Sequence, residues 1–270
     1  MIRSASIHRR NNIRIEGNLE SSRTIVFGHG FGTDQRIWGK ITPAFTKDYR
    51  VILYDNVGAG KSDLDSFIPE KYRSLDAYAD DLQEICSELQ LSNAVFVGHS
   101  VSGMIGLITG LNVPSLFSRI VLIGASPRYL NDGSYVGGFH QAELDSLYFQ
   151  MRANYVEWVS GFSKIAMRNS HNPDLSKQFE ESLLSLRPDI SLEVAQSIFQ
   201  SDFRLILKFI ESKVLIIQAQ KDVAVPREVA EYMHERIKDS KLVVVNAEGH
   251  YPHVSAPEEI ISAIQGFLAV

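Results

Sequence analysis

Cysteine is almost missing from this chain: Cys86 stands alone among 270 residues. An intrachain disulfide is thereby excluded, and a thiolate-built metal site lacks its ligands. Cys86 falls in an amphipathic helical stretch, where a small core residue is the expected role. Nor is there an excess of positive charge. The chain carries 27 Lys and Arg against 32 Asp and Glu, a net charge of -5, with no basic block or stripe, which argues against nucleic acid and anionic membrane as partners. Long apolar runs are absent too. The most apolar helical segment, 104–113, is about half of what a bilayer span needs, and it contains Thr109 and Gly110. The first eighteen residues, MIRSASIHRRNNIRIEGN, lack the apolar core of a signal peptide, so the expectation is a soluble, cytoplasmic protein. No repeat or low-complexity segment is visible.

What is present is a rhythm. Apolar runs at 12–16, 24–27, 49–54, 94–97 and 120–123 read as strands, the first two as an antiparallel edge pair, and 37–45, 75–89 and 103–110 read as helices between them. Continuous apolar strands alternating with helices predict a mostly parallel sheet covered on both faces. The rhythm stops near Ser126. For nearly eighty residues there is no convincing strand, only helical patterns at 141–152, 155–166, 175–186 and 191–200, dense in aromatics such as Tyr129, Trp158, Phe162 and Phe199. Strands return at 214–219 and 242–246, with helices at 228–237 and 257–268. The fold class expected is therefore α/β, with a core formed by residues 1–126 and 205–270 and a four-helix cap inserted at 127–204. The aromatics of the cap can serve plain packing, or line a gap for an apolar ligand.

Three loops carry chemistry. Val95-Phe96-Val97-Gly98-His99-Ser100-Val101-Ser102-Gly103 passes from an apolar run through a glycine to one serine, then into a small-residue helix. This resembles the elbow that holds a nucleophile on a strained turn, although Ser102 stands where the pattern G-x-S-x-G has its second glycine. Gly28-His29-Gly30-Phe31-Gly32-Thr33-Asp34-Gln35 has three glycines in five residues. A dinucleotide fingerprint would need glycine where Thr33 stands, so the preferred reading is a loop of backbone donors for an oxyanion. Asn56-Val57-Gly58-Ala59-Gly60-Lys61-Ser62 carries the tail of a phosphate-binding P-loop. Asp55 occupies the position of its first glycine, and Asp63 to Pro69 is acidic and proline-broken where a helix should begin. A glycine-rich turn is expected there.

Ser100, Asp222 and His250 then fall at strand ends in the chain order used by α/β-hydrolases. The 28 positions from Asp222 to His250 accommodate one helix and one strand, which returns both to the same sheet edge. A serine hydroxyl is a weak nucleophile at neutral pH, so His250 would accept its proton and Asp222 would orient the imidazole. The N–H groups of Phe31 and Val101 would hold the oxyanion, a role worth roughly 2.7–4 kcal/mol per donor. No cofactor or metal is called for. His253 could suggest a metal pair with His250, but no carboxylate or thiolate cluster accompanies it. His29 and His99 are expected to pack or hydrogen-bond, and Asp55 precedes Ser100 and would break the order.

The segments 28–35 (GHGFGTDQ), 98–102 (GHSVS), 124–129 (GASPRY), Gly137-Gly138-Phe139, 187–191 (RPDIS), 199–202 (FQSD), 222–226 and 249–253 closely resemble the α/β-hydrolases that include the plant karrikin and strigolactone receptors and the bacterial stress regulator RsbQ. The resemblance covers nearly the whole chain, the cap included. It implies a triad of Ser100, Asp222 and His250, and it accounts for Ser102, which these receptors share. It also implies a ligand pocket at Phe31, Tyr129, Leu147, Trp158, Phe162, Phe199 and Val223. The segment Gly58-Ala59-Gly60-Lys61-Ser62-Asp63 is closer to the bacterial branch. The functions implied are hydrolysis of a small, largely apolar ester or lactone through an acyl-enzyme, or ligand sensing with a protein partner, a phosphatase in the RsbQ-like case. A cofactor-free dioxygenase or haloperoxidase on the same fold is a third possibility.

Overall fold

A computed structural model describes residues 6–269 of the chain. Seven strands, β1 (Arg14–Gly17), β2 (Thr24–Gly28), β3 (Arg50–Leu53), β4 (Ala94–His99), β5 (Phe117–Ile123), β6 (Lys213–Lys221) and β7 (Ser240–Glu248), form one sheet in the order β1-β3-β2-β4-β5-β6-β7. All neighbours run parallel except β1 with β3. The antiparallel edge expected from the sequence thus exists with a different partner: Arg14 faces Leu53 and Gly17 faces Arg50. β2 already has a parallel neighbour on each side, β3 and β4, so the free edge available to β1 is that of β3.

Successive side chains of a strand point to opposite faces, and the core divides accordingly. Val26, Phe96, Ile120, Leu122, Val214 and Ile216 meet helices Leu75–Glu88, Val101–Asn112 and Arg227–Arg236 on one face. Ile25, Phe27, Val95, Val97, Val121, Ile123, Leu215 and Ile217 meet Trp38, Ile41, Phe45 and helix Pro257–Leu268 on the other. β4 is buried at all six positions. This two-sided burial explains the unbroken apolar runs that marked the strands in the sequence. Cys86 lies in the first of these layers, and desolvation pushes its thiol up to about 12.

The helix expected at 37–45 is instead two 3₁₀ segments, Gln35–Lys40 and Thr42–Ala44. Gly39 weakens the middle of that stretch, and Pro43 has no N–H to extend a helix through it. Of the short tail expected before residue 12, residues 1–5 lie outside the described residues. Ile7–Arg10 forms one helical turn, and Arg10 pairs with Asp81 and Glu84. No helix among the described residues is long and apolar enough to cross a membrane.

Between β5 and β6 the chain forms helices Gln141–Ala153, Tyr155–Met167, Pro173–Leu184 and Pro188–Phe199. The last two begin earlier than the apolar periodicity indicates, because Pro173 and Pro188 occupy first-turn positions where a missing N–H costs nothing. This insertion lies over the C-terminal ends of the parallel strands. Ser182 donates its hydroxyl to Gly32 O at 2.8 Å, Ser197 to Tyr72 O at 2.8 Å, and the Phe179 ring lies 4.6 Å from that of Tyr251. Its two ends are tied together: Phe203 N donates to Pro127 O at 2.8 Å, and Arg128, Asp132, Asp202 and Arg204 form one ion-pair network.

Candidate active site

β4 delivers Ser100 to the centre of the sheet's C-terminal edge, and the helix Val101–Asn112 begins immediately after it. Ser100 adopts φ 53° and ψ -122°, a conformation that costs a residue with a Cβ about 1–3 kcal/mol and is found where function demands it. Ser100 N donates to Ile123 O at 2.8 Å, and Gly103 N to Ser100 O at 2.9 Å, which fixes the turn. A Cβ on Gly98 would lie 2.5 Å from Ser102 O, so the glycine before the serine is obligatory. Ser102 is fully buried. Its hydroxyl donates to His29 O and accepts from Asn56 Nδ2 at 3.3 Å.

Asp222 and His250 arrive just past the ends of β6 and β7. His250 Nδ1 lies 2.9 Å from Asp222 Oδ2, and His250 Nε2 lies 2.9 Å from Ser100 Oγ. Asp222 Oδ1 accepts from the backbone N–H of Ala224 at 2.8 Å and of Val225 at 3.1 Å, so the carboxylate is held by its own turn. That bonding places the proton of the imidazole on Nδ1 and leaves Nε2 to accept from the serine hydroxyl. The structure therefore brings together the three side chains singled out in the sequence.

The loop that carries His250 is fastened on two sides. His250 N donates to Ala166 O at 2.8 Å, and His99 Nε2 donates to His250 O at 2.8 Å. Gly249 has φ 87°, and a Cβ there would stand 2.3 Å from Met167 O. Burial holds the His99 imidazole well below its ordinary value, with His253 and His250 adding to the effect, so the ring is neutral at pH 7. His253 is not aimed at a metal pair with His250: it is fully buried, its ring 4.6 Å from Trp38, and desolvation lowers it to about 3.

The glycine-rich loop lies beside Ser100. A Cβ on Gly30 would stand 2.3 Å from His99 Nδ1, which explains the glycine. Thr33 Oγ1 donates to Gly30 O at 2.9 Å, and the Tyr251 hydroxyl donates to Phe31 O at 2.9 Å. The N–H groups of Phe31 and Val101 make no hydrogen bond among the described residues. His29 is fixed by Asn56 N, which donates to its Nε2 at 2.9 Å. The segment that mimics a P-loop turns the amide of Lys61 onto the Asp55 carboxylate at 2.9 Å, and the other oxygen of that carboxylate accepts from Gln35 N at 2.9 Å.

Two cavities flank the triad, and they share no lining residue. A groove of about 460 Å³ is lined by His250 with Leu147, Trp158, Phe162 and Val223, four of the pocket residues expected from the sequence. A narrow cavity of about 30 Å³ is lined by Phe31 and Val101. Tyr129 and Phe199 line neither. Tyr129 places its hydroxyl 3.3 Å from Ser100 Oγ, and Phe199 packs edge-on against it at 5.1 Å. The sequence reading missed Tyr251, Asn56 and the carbonyl of Ala166, all of which position the site. Adjacency to His250 was the one available signal, and it pointed to Tyr251 alone.

The α/β-hydrolase fold family matches residues 23–257. Karrikin insensitive 2 receptor CA of Petunia hybrida is 43% identical over 255 residues, 94% of each chain. The strigolactone esterase of Arabidopsis thaliana is 43% identical over 250 residues, 92% of each chain. Among solved structures, a hydrolase from Oleispira antarctica superposes with a TM-score of 0.94 at 36% identity, over 98% of this chain and 96% of its own.

Proposed function

Since the chain belongs to the α/β-hydrolase family, we propose that it is a serine esterase acting on a small, largely apolar carboxylic ester or lactone. The observation that carries this is the unbroken relay from Asp222 through His250 to Ser100, with 2.9 Å at each junction. Ser100 Oγ attacks the carbonyl carbon while its proton passes to His250 Nε2. The oxyanion that forms is received by the N–H groups of Phe31 and Val101. Collapse expels the alcohol, which takes the proton from His250 and leaves an acyl group on Ser100. Water, deprotonated by His250, then releases the acid and restores the serine. Asp222 keeps the imidazole in the right tautomer and stabilises its cation. The groove with Leu147, Trp158, Phe162 and Val223, backed by Tyr129 and Phe199, takes the apolar body of the substrate, and residues 127–204 act as its lid.

The test is Ser100→Ala with 4-nitrophenyl acetate. Turnover should vanish while the thermal midpoint stays within a few degrees of the parent, and retained turnover sinks the reading.

The similarity to a karrikin receptor and a strigolactone esterase supports a second reading, a ligand sensor whose hydrolysis is slow and whose insertion recruits a protein. The Gly58 to Asp63 segment supports an RsbQ-like version with a partner phosphatase. A cytoplasmic location goes with both readings, on the strength of a lone unpaired cysteine. A partner captured only in the presence of ligand and of an intact Ser100 favours the sensor. Steady multiple turnover with no such partner favours the esterase.

A further inference from the structure

The two cavities beside the triad differ in what they touch. The narrow one is lined by Phe31 and Val101, whose N–H groups have no partner among the described residues, and by Tyr78, Ser191, Val194 and Ile198; it does not reach His250. The wide groove is lined by His250 and reaches neither Phe31 nor Val101. In acyl transfer the leaving oxygen takes its proton from the imidazole, so the alcohol departs on the histidine side. The carbonyl oxygen faces the N–H pair, and the acyl substituent continues beyond it.

The narrow cavity is small and its walls are firm. A cavity of about 30 Å³, against about 460 Å³ for the wide groove, has room for a short substituent only. Tyr78 belongs to helix Leu75–Glu88, and Val194 and Ile198 to helix Pro188–Phe199, so widening it would require repacking two helices. It also contains unpaired polarity. The Tyr78 hydroxyl is buried without a hydrogen-bond partner among the described residues, and Ser191 Oγ, buried as well, lies beside the Tyr155 hydroxyl. A buried hydroxyl without a partner is costly, and an oxygen on a bound ligand would relieve that cost. The wide groove is different: Phe149 and Ile165 stand at its mouth, 68% and 61% exposed, an apolar rim that a bulky apolar group would cover.

We propose that the narrow cavity is an acyl subsite for a short substituent, with the Tyr78 hydroxyl as its polar anchor, and that the wide groove takes the alcohol. The substrates are then short-acyl esters of bulky apolar alcohols, favoured when the acyl group carries an oxygen. This assignment rests on the triad reading given above.

The experiment measures kcat/KM for 4-nitrophenyl esters from acetyl to octanoyl, and for benzyl and 2-naphthylmethyl acetate, whose alcohols are closely matched in acidity. Activity should peak at acetyl or propanoyl and fall at least tenfold by hexanoyl, while the added ring of the naphthyl alcohol raises it severalfold. Ile198→Ala should move the optimum to longer acyl chains. Tyr78→Phe, which removes only an unpartnered oxygen, should lower the ratio of hydroxyacetyl to propanoyl ester turnover about tenfold, the worth of a buried hydrogen bond. Wild-type activity that climbs through octanoyl, or an unchanged ratio in Tyr78→Phe, overturns the subsite. Turnover that persists in Ser100→Ala, or no ester turnover at all, overturns the triad reading instead, and the subsite with it.

Discussion

The Ser102 hydroxyl donates to the carbonyl of His29 at 2.5 Å, which joins the first turn of the elbow helix to the loop that carries Phe31. The residue that departs from the glycine pattern is thus the brace between the two halves of the candidate oxyanion site.

Ser102→Gly restores the generic motif and should make the protein worse. It removes a buried hydrogen bond and leaves a small void, a loss of about 1–2 kcal/mol. We expect a thermal midpoint several degrees lower and a reduced kcat. An unchanged midpoint would mean that Asn56 alone suffices to hold the loop.

Ser100→Gly separates strain from chemistry. With φ at 53°, glycine relieves about 1 kcal/mol of backbone strain. Denaturant unfolding should show a more stable protein with no esterase activity, ahead of Ser100→Ala, which keeps the Cβ and therefore the strain.

Asp222→Asn should lower kcat by a factor on the order of 10³–10⁴. The amide no longer accepts the Nδ1 proton with charge, and the imidazole is free to present Nε2–H to the serine. The turn at Ala224 and Val225, which bonds to the same side chain, should survive, so circular dichroism is expected to match the parent.

Acid should destabilise the fold through its buried histidines. His253 is depressed to about 3 from an ordinary 6.5, and His99 is depressed as well, both chiefly by desolvation. Below pH 6.5 the unfolded chain therefore binds protons that the folded chain refuses, and stability falls as pH falls, down to about 3 for His253. At pH 5 the His253 contribution amounts to roughly 2 kcal/mol. His253→Phe keeps a ring on Trp38, and its stability advantage over the parent should widen between pH 6.5 and 5 in urea titrations.

Asp202→Ala removes the carboxylate that pairs with both Arg128 and Arg204 where the insertion leaves and rejoins the core. The overall loss should be about 1 kcal/mol. Limited proteolysis should become faster within 127–204 while amide exchange in β4 stays as slow as in the parent.

Much of this architecture was readable because it depends on local pattern. β4 announces itself by continuous apolar residues, and Gly98 and Ser100 by the turn chemistry that follows. Asp222 and His250 became visible once strand order put them at one edge. What escaped was set by contacts distant in the chain. The pairing of β1 depends on which edges remain free, and the split of 37–45 depends on Gly39 and Pro43 overriding a helical periodicity. The hold of Ala166 on His250 spans elements with no shared pattern. The cavity at Tyr78 is a property of packing between two helices, and no spacing encodes it.

The bond from His250 N to Ala166 O joins the end of helix Tyr155–Met167 to the loop that carries the proposed general base. Swinging that helix outward would strand a buried amide directly beneath the imidazole. An outward movement of that helix would therefore widen the groove and at the same time release the loop that aims the histidine, since Ala166 and His250 line the same cavity.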